Sequence, residues 1–113
     1  MSKKEESTKQ KILNLIKTKD KENVELAFML AKSQKVKFKK GEIDLSYASL
    51  SKIDLNGVDL KWANLREADL RNADLLGAKL SWADLRDTNL EDAYLYSANL
   101  YSANLKGAKG LKK

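Results

Sequence analysis

Trp62 and Trp82 stand twenty residues apart, and Asp or Asn recurs in front of leucines through the second half of the chain, as at Asp44, Asp54, Asn64, Asp74, Asp84 and Asn104. Side chains of these types raise two chemistries, cation binding and acid–base catalysis. Ca²⁺ takes about six to eight converging oxygens, and outward side chains stacked in columns do not converge. Acid–base work needs a concave site that moves a carboxyl pKa, and nothing in the sequence builds one. The structural role open to these Asx side chains is to bond backbone groups at chain reversals. Cysteine and histidine are absent, which removes disulfides, thiolate metal sites, Cys or His nucleophiles and imidazole chemistry. The expectation is a chain with no catalytic residue, no cofactor and no metal site, and therefore not an enzyme. Trp62 and Trp82 are the candidate partner-binding residues, because exposed Trp is enriched at binding hot spots. The competing reading has each indole merely covering a corner and the stem of Lys61.

What positions these residues is a repeat. From Leu45 to Leu105, Leu recurs at every fifth residue, thirteen times. Two places before each stands a small or β-branched residue, from Ile43, Ala48, Ile53 and Val58 through Ala63 to Ala103. Five residues turn an α-helix by about 500°, so no apolar face forms. On a straight strand the odd step throws alternate leucines to opposite faces. Every Leu points inward only if the chain bends once per unit. Such a chain is an all-β solenoid of short edges and corners, with Leu and its smaller partner filling the interior.

Units such as Ala63-Asn64-Leu65-Arg66-Glu67, Ala68-Asp69-Leu70-Arg71-Asn72 and Ala83-Asp84-Leu85-Arg86-Asp87 resemble those of the pentapeptide-repeat proteins. The resemblance implies a right-handed quadrilateral β-helix, four units per coil, with coils about 4.8 Å apart. Thirteen units then give slightly more than three coils. A register of twenty stacks Trp62 on Trp82, Arg66 on Arg86, Gly57 on Gly77 and Asp54 on Asp74, and sets Arg71 beside Glu91 as a cross-strand ion pair.

Residues 1–40 lack the repeat and read as an N-terminal helical hairpin or cap with a short lead-in strand; residues 41–113 read as the β-helix. Ser2 and Glu5 have the spacing of a capping box. Ile12, Leu13, Leu15 and Ile16 form the stripe of a first helix. Asp20 is placed to cap a second helix running to about Ser33. There Val24, Ala27, Phe28 and Ala31 fall on one face, which Leu26, Met29 and Leu30 widen. Val36 and Phe38 alternate with lysines as a strand would, and Gly41 permits the turn into the first coil. A helical cap would cover the solenoid's exposed end, and the bulky Ile43, Ile53 and Val58 of the first coil suit contact with it. At the other end the repeat stops at Gly110 and Leu111. Tyr94, Tyr96 and Tyr101 lie near that end and are the candidate interface of a homodimer formed through the C-terminal coil. Ordinary surface positions are the competing reading.

The net charge of +6 is uneven. Residues 1–40 carry 12 Lys against 5 acids, and residues 41–113 carry 10 basic against 11 acidic side chains. No long apolar run appears, so neither a membrane partner nor a signal peptide is expected, and the cytoplasm is the default location. The sequence thus supports a non-enzymatic structural or protein-interaction module whose protein partner is unidentified. Two alternatives compete with it. Some members of the resembled family shield DNA gyrase by imitating duplex DNA, which requires a strongly acidic rod, whereas here Arg66 adjoins Glu67 and Arg86 adjoins Asp87. Weak nucleic-acid binding through the lysine-rich segment is the other, but those lysines lack interleaved Arg and stacking aromatics. Both charge patterns argue against nucleic acid.

Overall fold

The computed structural model describes residues 3–111, so the capping box expected from Ser2 and Glu5 lies outside the described residues and side chains. Helix α1 spans Lys3–Lys17 and helix α2 spans Lys21–Ser33. Ile12 and Ile16 of α1 are buried, and Leu13 and Leu15 pack partly against the same core. Asp20 caps α2 as its position suggests, its carboxylate accepting the Asn23 N–H at 3.1 Å and satisfying one of the free donors of the first turn. The α2 residues buried are Val24, Ala27, Phe28 and Ala31, while Leu26 and Met29 stay exposed. The apolar face is therefore the narrow one.

The lead-in strand does not form. Helix α2 closes in a Schellman motif built without glycine: Lys35 takes φ +56°, its N–H reaches the Lys32 carbonyl, and the Val36 N–H reaches that of Ala31. This arrangement satisfies the helix's last carbonyls and takes the donor that Val36 would have given to a ladder. Phe38 turns to Phe28 instead, edge to face with centroids 6.0 Å apart. Ladder pairing begins at Asp44.

From there the twenty-residue register is observed directly. Parallel bridges join Asp44 to Asn64, Ser49 to Asp69, Asp54 to Asp74 and Asp59 to Lys79, and continue so to the pairing of Asn89 with Lys109. Within each five-residue unit the N–H three places after a Leu returns to that Leu's carbonyl, as Ala48 does to Leu45 at 3.2 Å. The residue two places after each Leu has positive φ, from Tyr47 at +64° and Trp62 at +62° to Ser102 at +58°. A positive φ at the third residue of a four-residue turn closed by an i→i+3 hydrogen bond is the φ pattern of a type II turn. Four such corners close each coil. Only Gly57, Gly77 and Gly107 among them are glycines, so the other corners hold a conformation that costs an L-residue about 1–2 kcal/mol. Asx side chains help fix the corners, since the oxygen of Asp54 accepts the Asn56 N–H at 3.0 Å, and Asp44, Asp59, Asn64, Asp69, Asp74, Asp84, Asn89, Asn99 and Asn104 do likewise.

Burial divides the leucines. Leu45 through Leu90 are buried, whereas Leu95, Leu100 and Leu105 are only partly covered, because no later coil lies on them among the described residues. Thr88, the one hydroxyl at an inward partner position, donates to the Leu65 carbonyl at 2.8 Å. At the N-terminal end the cap supplies the groups that a preceding coil would. Glu25 accepts the Asp54 N–H at 2.7 Å, and the Lys19 ammonium donates to the Ser46 carbonyl at 2.7 Å. Lys9, buried, pairs with Glu42 at 2.8 Å. Burial alone would raise the Glu42 carboxyl pKa, but hydrogen bonds from Lys9 and the Lys39 N–H, with the field of both lysines, bring it below its ordinary value.

Two outcomes follow for urea unfolding. Leu75→Ala costs about 2–5 kcal/mol, whereas Leu105→Ala, at the half-covered end, costs clearly less; equal losses would contradict the burial gradient. Glu42→Gln loses about 1–3 kcal/mol at pH 7. A carboxyl whose pKa is lower folded than unfolded contributes stability above its unfolded value, and that contribution disappears as pH falls through the folded value. The gap between wild type and Glu42→Gln therefore narrows as the pH drops below about 4, and a gap independent of pH would refute the clasp.

Candidate functional site

The corner geometry brings the chemistry-bearing side chains together. Because Trp62 and Trp82 occupy the same corner in successive coils, their rings stack with centroids 6.4 Å apart and planes 22° apart. Tyr101 then meets Trp82 edge-on at 5.4 Å and 85°. Lys61 holds its ammonium 5.4 Å from the Trp62 ring centre, a cation–π contact. Trp62 is half-buried, Trp82 is 52% exposed and Tyr101 is 66% exposed. The aromatic ladder therefore opens progressively toward the C-terminal coil, and Ser81 is buried beneath it.

The three tyrosines do not form a cluster of their own. Tyr94 and Tyr96, 57% and 71% exposed, lie on the coil side before Tyr101, and only Tyr101 has an aromatic neighbour among the described residues. All three lie in the stretch from Ala93 to Leu105, which carries no charged residue. The same stretch holds the partly covered Leu95, Leu100 and Leu105.

Elsewhere two arginines are paired locally. Arg71 does not bridge to Glu91; its guanidinium forks onto Asp69 at 2.7 and 2.9 Å, and Arg86 forks onto Asp84 at the same distances. The Asp at the head of the corner and the Arg two residues on are already held face to face by the Asx turn, so the bidentate pair forms within one unit. These hydrogen bonds hold both aspartate carboxyls below their ordinary range, against the opposing effect of burial, and raise both arginines. Tyr47 is raised by its hydrogen bond to Glu67, one coil on. Asp44 is lowered by two hydrogen bonds from Ser46.

Sequence reasoning missed the seam between α2 and the first coil. A cleft of about 280 Å³ lies there, floored by Phe28, Val36, Phe38 and Val58 and rimmed by lysines. A second, of about 350 Å³, adjoins it past Phe28 and Lys32 and is lined by Glu25 and Asp54. No local motif announces either, because their walls come from segments about twenty to fifty residues apart. The Trp82–Tyr101 contact, by contrast, was available from the register, which sets Tyr101 over Ser81.

Twenty-residue coils, each with four corners and one leucine per side, define a β-helical solenoid of five-residue repeats. Residues 43–81 and 73–109 match the family described as Pentapeptide repeats, in eight copies, and the chain belongs to that family. Among solved structures it is similar to the pentapeptide repeat protein Rfr23 from the cyanobacterium Cyanothece 51142, with 34% identity over 58% of this chain and 52% of that one and a TM-score of 0.50. A pentapeptide repeat protein from the thylakoid lumen of Arabidopsis thaliana is 32% identical over 62% of this chain and 52% of its own, with a TM-score of 0.37. The pentapeptide repeat protein alr5209 from Nostoc PCC 7120 is 43% identical over 61% of this chain and 65% of its own, with a TM-score of 0.26. The chain thus spans about half the length of the first two and less than two thirds of the third. No curated protein matches it. Membership of this family and the likeness to Rfr23 imply a right-handed β-helix, and proteins of the family are generally non-enzymatic.

Proposed function

We propose that this chain is a non-enzymatic interaction module: a right-handed, four-sided β-helix of slightly more than three coils, closed at its N-terminal end by the cap of residues 1–40. Its contact surface is the C-terminal coil together with the aromatic corner that leads to it, and its first partner is a second copy of the chain. The observation that carries this reading is the asymmetry of the two ends. At the N-terminal end Glu25 and Lys19 satisfy free backbone groups of the first coil. At the C-terminal end the N–H groups of Leu95, Leu100 and Leu105 have no partner among the described residues, and the leucines themselves are half-covered.

An unpaired edge over apolar side chains is a template for another edge. A two-fold partner presents the same patch to itself, and the uncharged run from Ala93 to Leu105 lets it do so without like-charge repulsion. Trp82 and Tyr101 extend the patch sideways, with the large, rigid aromatic area that interfaces favour. A cross-section of about 20 × 25 Å is small for a stable interface, which buries roughly 1,200–2,000 Å² in total. The association is accordingly weak and concentration-dependent. The nucleic-acid alternatives draw less support, since Asp69 and Asp84 are neutralised by their arginines and Lys9 and Lys19 are engaged in holding the cap.

Sedimentation equilibrium tests this. Wild type gives a mass rising from monomer toward dimer with concentration, and Tyr101→Glu, with unchanged circular dichroism, stays monomeric. Wild type that remains monomeric throughout would overturn the self-association reading and leave the aromatic corner to a different protein.

A further inference from the structure

We propose that the cleft between α2 and the first coil is a binding site for a small aliphatic monocarboxylate of medium chain length. The cleft exists because the Schellman motif draws Val36 to Ala31. Phe38, twenty residues before Val58 and so in phase with it, stands off from the first coil instead of pairing with it. The resulting space of about 280 Å³ has an apolar floor of Phe28, Val36, Phe38 and Val58. Its rim carries Lys32, Lys35, Lys37 and Lys79 against one carboxylate, Asp59. None of the four lysines takes part in an ion pair among the described residues.

Lys32, though exposed, reaches across to the first coil. Its ammonium lies 3.7 Å from where a Cβ on Gly57 would stand, above a corner left bare by glycine at φ +67°. Apolar walls under unneutralised ammonium groups favour a ligand with one anionic head and one apolar tail, and they repel a cationic amphiphile of the same length. The volume, about 280 Å³, lies just below the usual range of ligand pockets, about 300–1,000 Å³, so the tail is no longer than medium chain length. The neighbouring cavity decides between a small molecule and an acidic peptide. A peptide running along the seam would pass from the lysine rim into the space lined by Glu25 and Asp54, where further acidic residues are repelled. A single-headed carboxylate stays within the lysine end.

The test is titration of the full-length, ¹⁵N-labelled chain with decanoate below its micelle concentration, followed by amide chemical shifts. Decyltrimethylammonium and an acetylated Asp-Phe-Glu peptide serve as parallel ligands. The expected result is saturable shifts at Phe38, Gly57, Val58 and the last turn of α2. Lys32→Glu/Lys79→Glu weakens binding by roughly tenfold or more, and Val58→Trp, which fills the cleft, abolishes it. Any of three results would overturn the proposal: shifts centred on Trp82 and Tyr101, equal affinity for the ammonium ligand, or an affinity unmoved by the charge reversal. Tighter binding of the peptide than of decanoate would also overturn it, in favour of a peptide occupant.

Discussion

A five-residue period is commensurate with neither the helix nor the strand, so the chain keeps all its leucines on one side only by turning sharply once per unit. The left-handed residue at each corner is the device that does this, and the rest of the structure depends on it. Tyr47, Lys52, Trp62, Glu67 and Asn72 all adopt it without being glycine. Their strain persists because several interactions hold the corner: the turn hydrogen bond to the Leu carbonyl, the bond from the corner N–H to the following coil, and, at most corners, the Asx oxygen on the N–H two residues later. Strained backbone survives where its surroundings over-determine it. The same corners project the two tryptophans, because position two after Leu is where Trp62 and Trp82 stand.

Stacking creates the second constraint, since every coil needs a neighbour on both sides. Inner coils provide this for each other. The first coil receives it from side chains of the cap, with Glu25 and Lys19 standing in for backbone partners and the Lys9–Glu42 pair tying α1 to the start of the solenoid. The last coil has no such cover among the described residues. The partial burial of Leu95, Leu100 and Leu105 follows from this.

The solenoid was legible because its signal is periodic. Leu spacing gave the corners, the step of twenty gave the Trp62–Trp82 stack, and the Asx positions gave the corner bonds. Asp20 and the α2 face were also readable, since capping and amphipathicity act within a few residues. Three features were not. The strand expected at Val36 and Phe38 gave way to a Schellman motif, because alternation says nothing about which acceptor claims the Val36 N–H. Arg71 chose Asp69 over Glu91, because a partner fixed by the local turn is reached with less ordering than one across a coil. The lysine-rimmed cleft lies where the cap meets the coil, and its shape depends on packing between segments that no periodicity relates. Lys9 and Lys19, which the sequence shows only as part of a lysine-rich segment, proved to be anchors for the same reason.

Residue-resolved amide hydrogen exchange at two protein concentrations is the most direct test of the account. It predicts that Leu65, Leu70 and Leu75 exchange slowest and that Asp54, at the capped edge, is protected. The Leu95, Leu100 and Leu105 amides should exchange freely in dilute protein and slow as concentration rises and a second copy covers them. Protection of those three amides already in dilute protein, or exchange indifferent to concentration, would contradict an open coil end that a second chain closes.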